Sequence, residues 1–125
     1  MNKRPVSALF SIFIYFTLFI VNVCATQWKI ETVDDPKQIY SPSSRALTID
    51  SNNHLHFVYG GDHLYYTYYN RKKWKYETID SSFGVGKYAS LAVDSPGNVH
   101  ISYYDEINGD LKYAKYTGTS WSTST

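Results

Sequence analysis

The sequence predicts an all-β chain made of two four-stranded antiparallel units, on three observations. Downstream of an apolar leader the chain repeats itself at a period of 46 to 47 residues. Its apolar runs are short, rich in Val, Ile, Thr and aromatics, and carry no helical period. Turn-forming residues separate these runs at matching places in both units.

The leader comes first. Lys3 and Arg4 precede an uncharged stretch from Val6 to Ala25 centred on Phe, Ile and Leu, and Val23-Cys24-Ala25 places small residues at the end. This is the pattern of a secretory signal peptide, residues 1–25, cleaved after Ala25. The alternative is an uncleaved anchor, because the run approaches bilayer-spanning length; only then is a membrane a partner. A lipidated Cys24 would want a smaller residue than Val23 before it. Export places the protein outside the cytoplasm, secreted or at the cell surface.

Composition narrows the function. The 125 residues carry 12 basic and 11 acidic side chains, a formal charge of +1. That balance does not suit a dedicated nucleic-acid binder. Aromatics make up 18%, too many for a disordered chain. The single cysteine lies in the leader, so no intrachain disulfide framework holds residues 26–125 and packing with hydrogen bonds must do so.

Trp28, Trp74 and Trp121 mark the period. Trp28-Lys-Ile-Glu-Thr-Val-Asp34 matches Trp74-Lys-Tyr-Glu-Thr-Ile-Asp80 at five of seven positions. Leu47-Thr-Ile-Asp-Ser51 falls on Leu91-Ala-Val-Asp-Ser95, His56 on His100 and Tyr59 on Tyr103, at an offset of 44. Leu64, Tyr66 and Tyr69 fall on Leu111, Tyr113 and Tyr116 at an offset of 47. The offset changes only between strand-like runs, where loops accept insertions. The two repeats run over about 28–73 and 74–120.

Strands are expected at Trp74–Asp80, Ser90–Asp94, Val99–Tyr104 and Leu111–Thr117, with Ala46–Tyr69 holding the earlier set. Ser95-Pro96-Gly97-Asn98 is built for a tight turn, and Asn108-Gly109 signals a hairpin. Ser51-Asn52-Asn53 and Gly60-Gly61-Asp62 stand at the matching places. Ser81 to Ala89, with Gly84 and Gly86, is expected to be a link.

Four antiparallel strands every 45 or so residues is the period of a β-propeller blade. Ser90-Leu-Ala-Val-Asp-Ser-Pro-Gly-Asn-Val-His-Ile-Ser-Tyr-Tyr-Asp105, followed by Asn108-Gly-Asp-Leu-Lys-Tyr-Ala114, resembles a repeat of exported bacterial and archaeal β-propeller proteins, distantly similar to sialidase-type Asp-box propellers. The resemblance runs from Trp28 to Trp121 and implies architecture rather than activity. The Asp-box is partial: Ala114 to Trp121 keeps Gly118, Ser120 and Trp121 but has Tyr116 where Asp belongs, and Arg71 replaces the Gly before Trp74.

A propeller closes with about four to eight blades, and two are legible. If the strand opening at each Trp is the outermost of its blade, Trp28–Asp34 is an outer strand without its inner three. It and Trp121–Thr125 then compete for one slot. Two readings follow: a piece of a longer propeller, which the closing polar Ser/Thr run favours, or a homotrimer of two-blade chains that completes a six-bladed ring by exchanging that strand.

Candidate chemistry is sparse. His56 and His100 sit in different units at equivalent positions, which points to a structural role such as bonding a neighbouring strand. His54 and His63 lie at turns. Asp50 and Asp94 read as turn caps at strand ends. Asp105–Asp110 lacks the alternating oxygen ligands of a calcium loop and reads as a hairpin turn. A sialidase site takes three arginines, whereas residues 26–125 hold only Arg45 and Arg71. Arg71-Lys72-Lys73 reads as a solvated turn. No catalytic, metal or cofactor-binding residue stands out, and no cofactor is expected. Trp74, Trp121 and Tyr104 are the candidate ligand-binding residues, since flat rings stack on sugar faces, although a Trp at a repeat position also serves packing. The expected function is non-catalytic binding or scaffolding with carbohydrate as the leading ligand. The alternative is a fragment of a larger propeller enzyme, a glycosidase or polysaccharide lyase, whose catalytic residues lie outside this chain.

Overall fold

A computed structural model describes residues 28–34, 39–40 and 42–125. The expected signal peptide, residues 1–25, lies outside the described residues. Eight strands form two antiparallel sheets and no helix occurs among the described residues. Sheet 1 runs β1 (Leu47–Ile49), β2 (Leu55–Gly60), β3 (Leu64–Tyr69) and β4 (Trp74–Asp80) in that order. Sheet 2 runs β5 (Val85–Val93), β6 (Val99–Asp105), β7 (Asp110–Tyr116) and β8 (Trp121–Ser124). Each strand pairs with its sequence neighbour, as short turns between alternating runs require.

The turns form as their residues dictate. Asp50 Oδ1 accepts the amides of Asn52 and His54, both at 2.8 Å, and lets Asn53 adopt a φ of 60°. Asp94 accepts the Asn98 amide at 2.7 Å and its Nδ2–H at 2.8 Å. Asp105 folds its carboxylate onto its own turn, taking the amides of Ile107 and Asn108 and the Asn108 side chain. Arg71 takes a φ of 67° where its counterpart Gly118 takes 91°, so the turn keeps its backbone shape although the glycine is gone.

The sheets pack on one another. Sheet 1 contributes Val58, Leu64 and Tyr66 to the core; sheet 2 contributes Val85, Leu91, Val99, Ile101 and Tyr103. Val58, Leu64, Val85 and Ile101 are fully buried, each burial contributing about 1.5–3 kcal/mol. Thr67, also fully buried, meets its polar need by donating Oγ1–H to the Lys75 carbonyl at 2.8 Å. Backbone bonds cross between the sheets. The Leu91 amide donates to the Arg45 carbonyl at 2.9 Å and the Gly84 amide to the Asp62 carbonyl at 2.8 Å. Gly86, at a φ of 95°, lets β5 pass close: a Cβ there would stand 2.7 Å from the His63 carbonyl oxygen.

Two expectations need correction. Ser81 to Ala89 is not all link, because β5 begins at Val85. Val85 pairs with Asp105 in the core, and bulges near Lys87 and Ser90 absorb the irregular spacing, with Tyr88 at a φ of 54°. Residues 28–34 form no strand. The slot they were expected to share is filled by β8, which pairs with β7 from Tyr113↔Ser124 to Tyr116↔Trp121.

Candidate functional site

Turn and strand chemistry together build a cleft of about 330 Å³ where the sheets meet. Asp50, His54, His56, Tyr68 and Glu77 line it from sheet 1, and Val99 and Tyr116 from sheet 2. Alternation along β2 sends His56 toward sheet 2, with Val58 two residues on. The paired strand β3 places Tyr66 and Tyr68 on the same face.

Hydrogen bonds fix these side chains. Asp50 Oδ2 lies 2.9 Å from His54 Nδ1, which is also 3.0 Å from the Tyr68 hydroxyl. His56 Nδ1 lies 2.7 Å from the Tyr66 hydroxyl. His56 Nε2 is buried, has no hydrogen-bond partner and stands 3.4 Å from Asp50 Oδ2. Burial alone would push the Asp50 carboxyl up, but the His54 amide and ring, the Asn52 amide and the His56 ring overcome it and pull it down to about 2. Burial pushes the His56 imidazole below its ordinary value, and Asp50 offsets only part of that. Burial raises the Tyr66 and Tyr68 hydroxyls. At neutral pH the cleft therefore holds an ionised Asp50, a neutral His56 imidazole and intact Tyr66 and Tyr68 phenols.

The second unit repeats the constellation. His100 Nδ1 lies 2.6 Å from the Tyr113 hydroxyl and Nε2 lies 3.1 Å from Asp94 Oδ2. There it sits on the outer face of sheet 2, and Asn98 replaces His54. Hydrogen bonds to Asn98 are the main reason the Asp94 carboxyl lies at about 2. Both repeated histidines thus bond the adjacent strand of their own sheet, β2 to β3 and β6 to β7.

Trp74, Trp121 and Tyr104 do not converge. Trp74 lies in β4 against Tyr69, ring centroids 4.9 Å apart, and donates Nε1–H to Glu31 at 2.7 Å. Trp121 lies in β8 between Tyr66 and Tyr116, 5.1 Å from each, and donates Nε1–H to Glu77 at 2.6 Å, at the margin of the cleft. Tyr104 lies on the outer face of sheet 2, 6.5 Å from Tyr88. The residues that do converge, His54, His56, Tyr68 and Tyr116, were not singled out as binding residues by their sequence. The Asp-x-x-x-His spacing of Asp50 and His54, which the second unit lacks, is the one signal that marks this turn as different.

A second network locks the sheets from the other side. The Tyr103 hydroxyl donates to Asp80 Oδ2 at 2.8 Å, and Lys112 Nζ reaches the same oxygen at 2.6 Å and Asp105 at 3.9 Å. In the first unit the Tyr59 hydroxyl donates to Asp34.

Comparison with protein-family models, with curated proteins and with solved structures finds no match.

Proposed function

We propose that the two sheets are β-propeller blades of an exported protein and that the cleft between them binds carbohydrate without transforming it. The observation that carries this reading is the cleft itself. It combines aromatic walls at Tyr68 and Tyr116 with hydroxyl-sized polar partners at His54, Asp50 and Lys75, the mixture that orients a sugar ring. His56 Nε2, buried, with only Asp50 Oδ2 near it at 3.4 Å and no hydrogen bond formed, is a polar atom that a ligand hydroxyl would satisfy.

Asp50 does not suit the acid role that glycoside hydrolysis requires. A glycosidase acid needs a raised pKa, whereas Asp50 is pulled down to about 2 by its donors. Glu77 already accepts the Trp121 indole.

A glycan array spanning neutral, amino and sialylated oligosaccharides, followed by calorimetry on any hit, tests the reading. The wild type is expected to bind, and His54→Ala and Tyr116→Ala each to weaken binding at least about tenfold, the cost of one lost hydrogen bond or stacking face. No glycan bound, or a bound glycan insensitive to both variants, would overturn it.

A further inference from the structure

The packing of sheet 1 on sheet 2 has a direction. Sheet 1 presents His56, Val58, Leu64 and Tyr66; sheet 2 answers with Leu91, Val99, Ile101 and Tyr103. Because the chain repeats, each sheet carries the counterpart of its partner's set on its other side. Leu111, counterpart of the fully buried Leu64, is 73% exposed. Leu47, counterpart of Leu91 at 6%, is 56% exposed. The outer face of sheet 2 therefore repeats part of the face that sheet 1 buries, keeping His100, Leu111 and Tyr113 but with Ser102 where Val58 stands, and the outer face of sheet 1 repeats the face sheet 2 buries, with Tyr59 and Thr67 there already buried within the chain.

Residues 31–34 give the register. Trp121 and Tyr103 of sheet 2 donate to Glu77 and Asp80, the outer strand of sheet 1. Their counterparts Trp74 and Tyr59 in sheet 1 donate to Glu31 and Asp34. Glu31 and Asp34 thus stand to sheet 1 as Glu77 and Asp80 of β4 stand to sheet 2. β8 is a poor substitute for that edge, because Ser124 stands where Glu31 and Glu77 stand and cannot serve as a carboxylate acceptor for an indole.

We propose that copies of this chain dock head to tail. The outer face of sheet 2 in one copy meets the outer face of sheet 1 in the next, and residues 28–34 of that next copy pair with β7 in place of β8. Trp28 then opposes Tyr116, as Trp121 does now. The occupant is a second copy because the docking surface repeats the chain's own internal interface and residues 28–34 carry, at Glu31, the carboxylate that β8 lacks at Ser124. A head-to-tail contact closes into a ring or runs on as a filament; about four to eight blades close, so two, three or four copies would form one discrete species. This proposal rests on the blade reading of the sheets and is independent of the ligand.

Sedimentation velocity on the purified full chain, in mild detergent for its apolar leader, tests it. The wild type is expected to run as a single closed oligomer. Leu111→Asp and Leu47→Asp, both at exposed positions, should each run as monomers, and their equimolar mixture should form a one-to-one dimer and nothing larger. Should either variant misfold by circular dichroism, the corresponding Arg variant replaces it. Trp28→Ala should weaken association at least about tenfold while Trp121→Ala leaves it intact; the reverse order would overturn the strand replacement. A monomeric wild type, or association unaffected by both Leu variants, would overturn the docking. Association lost in both variants and not restored by mixing would overturn the head-to-tail docking, whereas a dimer kept by each variant alone would mean like-to-like pairing and would sink the blade reading instead.

Discussion

Trp121 Nε1–H donates to Glu77 Oε2 at 2.6 Å, and Trp74 donates to Glu31 in the same way one unit earlier. The bond joins the outermost strands of successive units, β8 to β4. A tryptophan that looks like a repeat marker is therefore a tie between units, and its partner is the glutamate three residues past the previous marker.

Substituting Glu77 by Gln should keep the shape and lose the charge-assisted part of this tie. A loss of about 0.5–1 kcal/mol is expected from an exposed hydrogen bond, read as a lower urea midpoint with the slope unchanged. In the monomeric Leu111→Asp background, where β8 stays on β7, a double-mutant cycle with Trp121→Phe should return a coupling of about 0.5–1.5 kcal/mol.

Asp80 serves two donors at once, the Tyr103 hydroxyl and the Lys112 ammonium. Asp80→Ala leaves both without that acceptor and should cost about 2–3 kcal/mol, against about 1 kcal/mol for Tyr103→Phe, which removes only one bond. Equilibrium unfolding of the two variants side by side checks the order.

Acid should weaken the fold before any carboxylate titrates. In the unfolded chain His56 takes up a proton near pH 6.5 or so, while burial depresses its imidazole in the folded state. The unfolded state thus binds more protons below that pH, and stability falls as pH drops through this window. Asp50 sits at about 2 when folded, so its contribution is complete above about pH 4 and is lost only below. The urea midpoint is expected to be lower at pH 5 than at pH 7.5, and His56→Gln should remove most of that difference.

Gly86 and Gly97 separate strain from crowding. Both have positive φ, 95° and 91°, but a Cβ at Gly97 meets nothing within 4 Å while one at Gly86 meets the His63 carbonyl at 2.7 Å. Gly97→Ala should cost about 1 kcal/mol of backbone strain, and Gly86→Ala clearly more, since β5 must also move away from sheet 1. Thermal unfolding of the pair tests this ordering.

Much of this fold is written in short-range chemistry. Trp74–Asp80 is a strand over its whole expected length, and Val99, Leu111 and Trp121 lie within a residue of where strands begin, because alternation and Asn-Gly or Pro-Gly turns are local signals. β5 was legible only from Ser90 onward. Its first half is held by long-range contacts, Val85 against Asp105 and Gly84 against Asp62, which override the loop propensity of two glycines. Residues 28–34 have the composition of a strand yet form none, since strand formation needs an open edge and β8 occupies the matching one. The cleft was the least legible feature. His54 and His56 lie together around the start of β2 and Tyr116 at the end of β7, and only the packing of one sheet on the other brings the last beside the first two.

The amides of Leu91 and Gly84 bond to carbonyls of Arg45 and Asp62 across the sheet boundary. Neither sheet can open while the other keeps those amides protected from solvent. Slow hydrogen exchange at β5 is therefore a property of both sheets together, and the pair forms one cooperative unit rather than two independently melting repeats.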